Sequence, residues 1–161
     1  MKHDLLGGRP SWDDVWIEVA RTIARRSLCS RAQVGAVIVS RDNRVQAASY
    51  NGPRPDFPHG EMPCVNWCAR AQPGAATTPD YSSCEATHAE MSALVRADRS
   101  QLDGGTIYVT GSVCINCARM ITHTELHRVV HRVNEADMHR NPESVEEFLR
   151  QSGIAVVRLG A

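Results

Sequence analysis

Two short motifs constrain the fold of this chain more than any other feature: His88-Ala89-Glu90 and, further on, Cys114-Ile115-Asn116-Cys117. Each opens a helical run, so a fold that makes chemical sense of both must bring two helix starts together. Cys114 and Cys117 lie one turn apart on the same helix face, where the positive helix end favours thiolates. Thr106–Thr110 ahead of them reads as a strand, Gly111-Ser112 as a turn, and Cys114–His123 as a helix packed through Ile115, Ala118 and Ile121. His88 and Glu90 sit in the first turn of another predicted helix that continues to Val95. One imidazole and two thiolates neutralise a zinc ion and leave its fourth position to water, whereas a structural zinc is closed by four protein ligands. Glu90 is then a carboxylate beside the metal that does not ligate it, suited to carrying a proton.

Taken alone, a Cys-x-x-Cys pair reads more readily as a redox pair, half of a structural zinc site or two buried thiols. The two motifs together, each opening a helix, point to a catalytic zinc instead. Their order is also the signature of zinc deaminases of nucleobases.

Composition narrows the partners. Eighteen basic and eighteen acidic side chains cancel, which gives no overall charge for holding a nucleic-acid backbone and favours a small-molecule substrate over a polymer. No apolar run reaches the ~20 residues of a membrane span, and the N-terminus lacks a signal peptide's apolar stretch. The expected location is the cytoplasm, where cysteines stay reduced and are available to metals.

Length suits one domain over residues 11–161, preceded by a flexible leader at 1–10. Ser11 is expected to cap a first helix, with Asp13 and Asp14 near its positive end and Trp12, Val15, Trp16, Val19, Ile23 and Ala24 as its apolar stripe. Strands are expected at Val34–Ser40 and Val45–Tyr50, forming a hairpin, then at Thr106–Thr110, Arg128–Val133 and Ile154–Leu159. A last helix starts at Pro142 with Asn141 as its cap. Because that helix joins strands four and five, the two should be parallel. The expected fold is α/β, a three-layer α/β/α sandwich on a five-stranded mixed sheet, with zinc at the helix N-termini.

An insertion at about 52–84 carries six prolines and little periodicity. With Cys114 and Cys117 assigned to the first zinc, Cys29, Cys64, Cys68 and Cys84 are enough for a second, structural one, with His59 as a substitute ligand. Reduced, buried thiols are the alternative.

The blocks Cys29–Val39, Ser49-Tyr50-Asn51-Gly52, Pro58-His59, His88-Ala89-Glu90, Gly105–Thr110 and Cys114–Ala118 resemble those of the deoxycytidylate (dCMP) deaminases, in the same order and across nearly the whole chain. The resemblance implies a cytidine deaminase-like fold and hydrolytic loss of ammonia from a cytosine nucleotide, dCMP giving dUMP. It implies Glu90 as proton shuttle and His88, Cys114 and Cys117 as zinc ligands. It also implies a nucleoside contact from Asn51, backbone near Ala36 and Ser112 against the base, a second zinc in the insertion, and a homo-oligomer, with a hexamer as the expected assembly. The chain departs from the usual pattern at Val113, where proline is common, at Ser92 for asparagine, at Gly60 for cysteine, and at His131, which takes a pocket tyrosine's place and is itself a candidate substrate contact. Arg31, Arg54 and Arg99 are the candidates for reading a phosphate. The rival readings are deamination of a modified cytosine nucleotide or another small amino-nucleobase compound, and a non-catalytic zinc protein that senses nucleotides or serves assembly.

Overall fold

The computed structural model describes residues 8–54, 56, 61–75, 84–133, 138 and 140–160. His59 and residues 1–7 of the expected leader lie outside these. Four helices, α1 (Trp12–Ala24), α2 (Ala89–Arg96), α3 (Ile115–Thr122) and α4 (Pro142–Gln151), accompany five strands, β1 (Gly35–Val39), β2 (Val45–Tyr50), β3 (Gly105–Val109), β4 (Leu126–Arg132) and β5 (Ala155–Leu159). The strand order is β2-β1-β3-β4-β5. β1 is antiparallel to both β2 and β3, while β3–β4 and β4–β5 are parallel. The expected hairpin and the parallel pairing of strands four and five are both present.

These pairings fix a direction for every strand. Because β1 opposes each of its neighbours, β2, β3, β4 and β5 all run the same way. A helix following β2, β3 or β4 must therefore start at one shared edge of the sheet, where the strands' C-terminal ends lie. α2, α3 and α4 do so and bury Ala93, Leu94, Ala118, Ile121, Val145 and Leu149 against Ala36, Ile38, Ile107, Val109 and Val129 of one sheet face. α1 covers the other face, against Val37, Val39, Tyr108 and Val130. The result is the expected α/β/α sandwich. Each fully buried aliphatic side chain contributes about 1.5–3 kcal/mol, so the larger three-helix face carries most of the hydrophobic stabilisation.

α1 begins where Ser11 Oγ accepts the Asp14 N–H at 3.1 Å. Its buried face matches the expected stripe only in part: Ala24 is buried and Trp16 and Val19 pack against the same cluster, but Ile17 and Ala20 are the residues turned fully inward, and Trp12 is 55% exposed and stacks on Trp16 at 5.5 Å. The cause is close packing: a Cβ on Gly35 would sit 2.0 Å from the Ala20 carbonyl, so the helix backbone rests almost on β1 and only small residues fit at the contact. Asp13 then ties the helix to the sheet, accepting from Tyr108 Oη at 2.9 Å and from both Arg128 terminal nitrogens at 2.7 and 2.6 Å.

α4 is anchored by charge. Glu146 is 5% exposed and faces His131 Nε2 at 3.0 Å, while Arg158 Nε at 2.8 Å and Arg150 at 3.0 Å donate to it. Asn141 precedes Pro142 as expected, but with φ 50° and ψ 61° its side chain caps nothing; Pro142 at N1 opens the helix without it. No described helix is long and apolar enough to cross a membrane.

Burial works to raise the Glu146 carboxyl, but hydrogen bonds from Arg158 and Arg150 and the nearby His131 hold it below its usual value, and burial lowers His131. Both groups bind protons more readily when unfolded, so both make stability rise with pH. The His131 contribution is lost as pH falls through the ordinary histidine range near 6.5, and that of Glu146 as pH drops below the ordinary carboxylate value of about 4.3. Urea midpoints measured from pH 7.5 to 2.5 should fall monotonically, and Glu146→Gln should lower the neutral-pH midpoint and flatten the part of the fall below about pH 4.3. A variant as steep as wild type would show that Glu146 is not the pH-sensitive anchor.

Candidate metal centre

The shared sheet edge brings the two motifs together. His88 is the N-cap residue of α2 and Cys114 that of α3, each in extended conformation. His88 Nδ1 lies 3.4 Å from Cys114 Sγ and 3.4 Å from Cys117 Sγ. Among the described residues, these are the three whose potential ligand atoms lie within 4.8 Å of one another. Donors on a tetrahedral zinc, at the usual bond lengths of about 2.0–2.1 Å to nitrogen and 2.3 Å to sulfur, stand roughly 3.5 Å apart, so the spacing fits the ion.

The donor chemistry fits too. Cys114 Sγ accepts the Cys117 backbone N–H at 3.5 Å, so a ligand sulfur doubles as the helix cap. Its hydrogen bond with the Cys117 thiol, helped by His88 and the helix N–H, pushes the Cys114 thiol down to about 3 against the effect of burial. Cys117 is driven the other way, first by its bond with Cys114, then by burial and by Glu90. A buried pair in which one thiolate suppresses the second needs a dication before both can ionise. Glu90 is 3% exposed, and burial raises its carboxyl above the normal range. A carboxylate of this kind, held out of water beside a metal, is suited to accept a proton and give it back.

The profile of the family described as the cytidine and deoxycytidylate deaminase zinc-binding region matches residues 10–133. The chain belongs to this family. It is 41% identical over 128 residues to a deoxycytidylate deaminase of Mycobacterium phage D29, covering 76% of this chain and 95% of the phage protein. It is 35% identical over 138 residues to the Schizosaccharomyces pombe deoxycytidylate deaminase, spanning 83% of this chain but 41% of the yeast protein. The fold matches that of the dCMP deaminase from cyanophage S-TIM5, solved with dCMP and dUMP, at a TM-score of 0.70, with 24% identity over 95% of this chain and 100% of that one.

The remaining candidates fall into different positions around this family's zinc-binding region. Gly52 and Thr87 exchange backbone hydrogen bonds at 3.1 and 2.9 Å, which docks the Asn51 segment beside His88. Asn51 Oδ1 accepts from Val34 N at 2.8 Å and Nδ2 donates to the Ala32 carbonyl at 2.9 Å. The side chain thus shapes the approach to β1, leaving one N–H and one lone pair of its amide for another partner. Ala36 itself pairs with Ser49 on one side and Val109 on the other, within β1. Only the Ala36 methyl, in the same cluster as Ala89 and Cys117, faces the centre's side of the sheet.

Ser112 is 1% exposed, and its carbonyl accepts from Arg140 at 3.3 Å. His131 is also 1% exposed; Nε2 meets Glu146, whereas Nδ1 has no hydrogen-bond partner among the described residues. The candidate phosphate readers each have partners within the chain. Arg99 reaches the His123 carbonyl at the far end of α3, Arg54 pairs with Asp56, and Arg31 donates to the Arg70 carbonyl. Sequence reading missed Arg140, whose charge reaches both His88 and Glu90. Its place just ahead of the Asn-Pro start of α4, after a parallel strand, was the available signal.

Cys29, Cys64, Cys68 and Cys84 do gather across the chain. The Cys64 backbone N–H bonds to the Leu28 carbonyl at 3.0 Å, and the Cys64 thiol is pushed up to about 12 by burial first, then by Cys29 and Cys68, with Cys84 adding to it. All six cysteines are free of disulfides.

With its thiol held near 3, Cys114 should be the first cysteine alkylated by iodoacetamide in metal-stripped protein at pH 6, where an ordinary thiol is less than about 1% ionised. Peptide mapping reads this directly, and added zinc should protect the residue. Equal labelling of Cys29 or Cys84 would contradict the assigned thiolate.

Proposed function

We propose that this chain is a zinc-dependent hydrolase that removes ammonia from a cytosine nucleotide, converting dCMP to dUMP. The observation that carries the reading is a three-donor centre, His88, Cys114 and Cys117, with a fourth buried acid, Glu90, beside it. The name of the 41%-identical phage relative supports dCMP as the substrate. Bound zinc supplies a Lewis acid that lowers the pKa of a water in its open position to about 7.

The chain's own groups handle protons and position. Glu90 takes a proton from the attacking water and delivers it to N3 of the base as the C4–O bond forms. A second transfer through the same carboxyl leaves with the amine as the C4–N bond breaks, so that water and dCMP give dUMP and ammonia. Burial suits Glu90 to this cycle, because a carboxylate whose pKa is raised takes up a proton more readily than an exposed one and so can hold it between the two transfers. The second amide N–H of Asn51 is available to the sugar, the Ala36 methyl and the Ser112 turn to the base, and His131 Nδ1 to the pocket wall.

In this reading the four cysteines around Cys64 hold a second, structural zinc that closes the insertion onto the Cys29 segment. A structural zinc contributes on the order of 10 kcal/mol, enough to order a proline-rich loop with few apolar residues. The chain acts as a homo-oligomer, a hexamer, in a reducing cytoplasm and takes a free nucleotide rather than a polymer.

Glu90→Gln should keep its zinc and lose about 10²–10⁴-fold in ammonia release from dCMP, since the amide cannot cycle a proton. Turnover within tenfold of wild type would sink the assigned role. Elemental analysis should give two zinc ions per chain in wild type and one in Cys68→Ser, with the catalytic ion retained. A single zinc in wild type would remove the second site and leave four reduced thiols.

A further inference from the structure

We infer that Ser27 is a positioning residue for the metal centre: its hydroxyl links the Cys64 segment to the backbone of His88 and sets how firmly that ligand is held. This rests on the metal-centre reading above. The observation is an unbroken run of hydrogen bonds. The Cys64 N–H donates to the Leu28 carbonyl at 3.0 Å, and the N–H of that same peptide unit, on Cys29, donates to Ser27 Oγ at 3.3 Å. The Ser27 hydroxyl donates to the Asn51 carbonyl at 2.7 Å, and the N–H of that peptide unit, on Gly52, donates to the Thr87 carbonyl at 3.1 Å. That carbonyl belongs to the peptide bond joining Thr87 to His88.

Every link but one is a peptide group, so Ser27 Oγ is the place where a single substitution breaks the run. The Cys29 N–H needs an acceptor there and the Asn51 carbonyl a donor; a hydroxyl supplies both at one atom, whereas a methyl supplies neither. Ser27 is 1% exposed, so solvent is badly placed to replace it. All the donors point the same way along the run, and each bond polarises the next. The backbone of Ser27 is held separately. Its N–H donates to the Ala24 carbonyl at 2.9 Å, and its carbonyl accepts from Gln33 Nε2 at 2.7 Å. Removing the hydroxyl therefore leaves the segment in place and releases the two peptide units that it joins.

His88 depends on that orientation. It is the N-cap residue of α2, with φ −65° and ψ 150°, and in this conformation its Nδ1 stands 3.4 Å from both Cys114 Sγ and Cys117 Sγ. Gly52 and Thr87 exchange both of their backbone hydrogen bonds, so a turn of the 51–52 peptide carries the 87–88 peptide with it. The Asn51 amide fastens the other side of this segment to residues 32 and 34, but the Asn51 carbonyl is left to Ser27. Groups that orient a metal's ligands change affinity for the metal by about 10–100-fold when they are lost. The run begins at Cys64, so the cysteine-bearing insertion and the metal centre are held by one line of contacts.

The test follows the run in two ways. For wild type, Ser27→Ala, Ser27→Thr and Gln33→Ala, residue-resolved amide exchange is measured on the zinc-loaded protein, and ammonia release from dCMP is measured against free zinc set by a metal buffer. Ser27→Ala should speed exchange of the Gly52 N–H about tenfold and leave that of the Val34 N–H, which is held by Asn51 Oδ1, as in wild type. It should also raise the free zinc that gives half of full activity by about tenfold. Ser27→Thr keeps a hydroxyl and should return both readouts toward wild type. Gln33→Ala removes an equally short bond to the same residue but lies off the run, and it should change neither. An unchanged Gly52 rate or zinc requirement in Ser27→Ala would overturn the inference. Equal effects from Gln33→Ala would overturn it as well, by making the Ser27 hydroxyl a general stabilising contact. A wild-type protein that releases no ammonia from dCMP at any zinc level would instead overturn the deamination reading, and Gly52 exchange would still test the run.

Discussion

The reversal of a single strand organises this molecule. Because β1 runs against β2 and β3, the other four strands share a direction, and three helices start at the same edge of the sheet. Residues far apart in sequence are thereby placed at equivalent positions, just before or at the first turn of a helix, where backbone N–H groups and helix dipoles favour negative charge. The metal donors occupy two of these positions. Close contact between α1 and Gly35 on the opposite face then seats the helix on β1, an interior strand, since any larger residue would collide with the Ala20 carbonyl.

Within that frame, the centre is arranged so that charge is incomplete without a metal. Cys114 is an easy thiolate because it caps its own helix and bonds to Cys117, and for the same reason Cys117 is a difficult one. Burial has the opposite use at Glu90. A carboxylate that burial makes reluctant to stay ionised takes up a proton readily, and a neighbouring cation offsets that reluctance so that the proton can be handed on. Two acids a few residues apart therefore end in different states through their surroundings alone.

Much of this was legible in the sequence because it depends on local chemistry. The ligand spacing, the Ser11 cap, the hairpin and the parallel fourth and fifth strands each follow from residues near one another or from a helix joining two strands. What was misread depends on distant contacts. Hydropathy put Trp12 on the α1 stripe and left out Ile17 and Ala20, but the buried face is chosen by how near the helix can come to Gly35. The bonds of the Asn51 amide to residues 32 and 34 across the start of β1 are likewise contacts that no local pattern announces.

Arg140 and His131 show the same limit from the other side. Neither belongs to a motif, and His131 stood out only as a departure from the tyrosine that its position resembles. Their significance comes from α4, which Glu146 fastens to the sheet through His131, Arg150 and Arg158. The bond from Glu146 to Nε2 fixes the histidine ring and with it the direction of Nδ1, while the anchored helix start holds Arg140 against the Ser112 turn. The ion network is therefore more than a stabilising contact on the outer strand pair. It fixes the His131 ring and the start of α4 together, at a position where the chain departs from the tyrosine of the pattern it resembles.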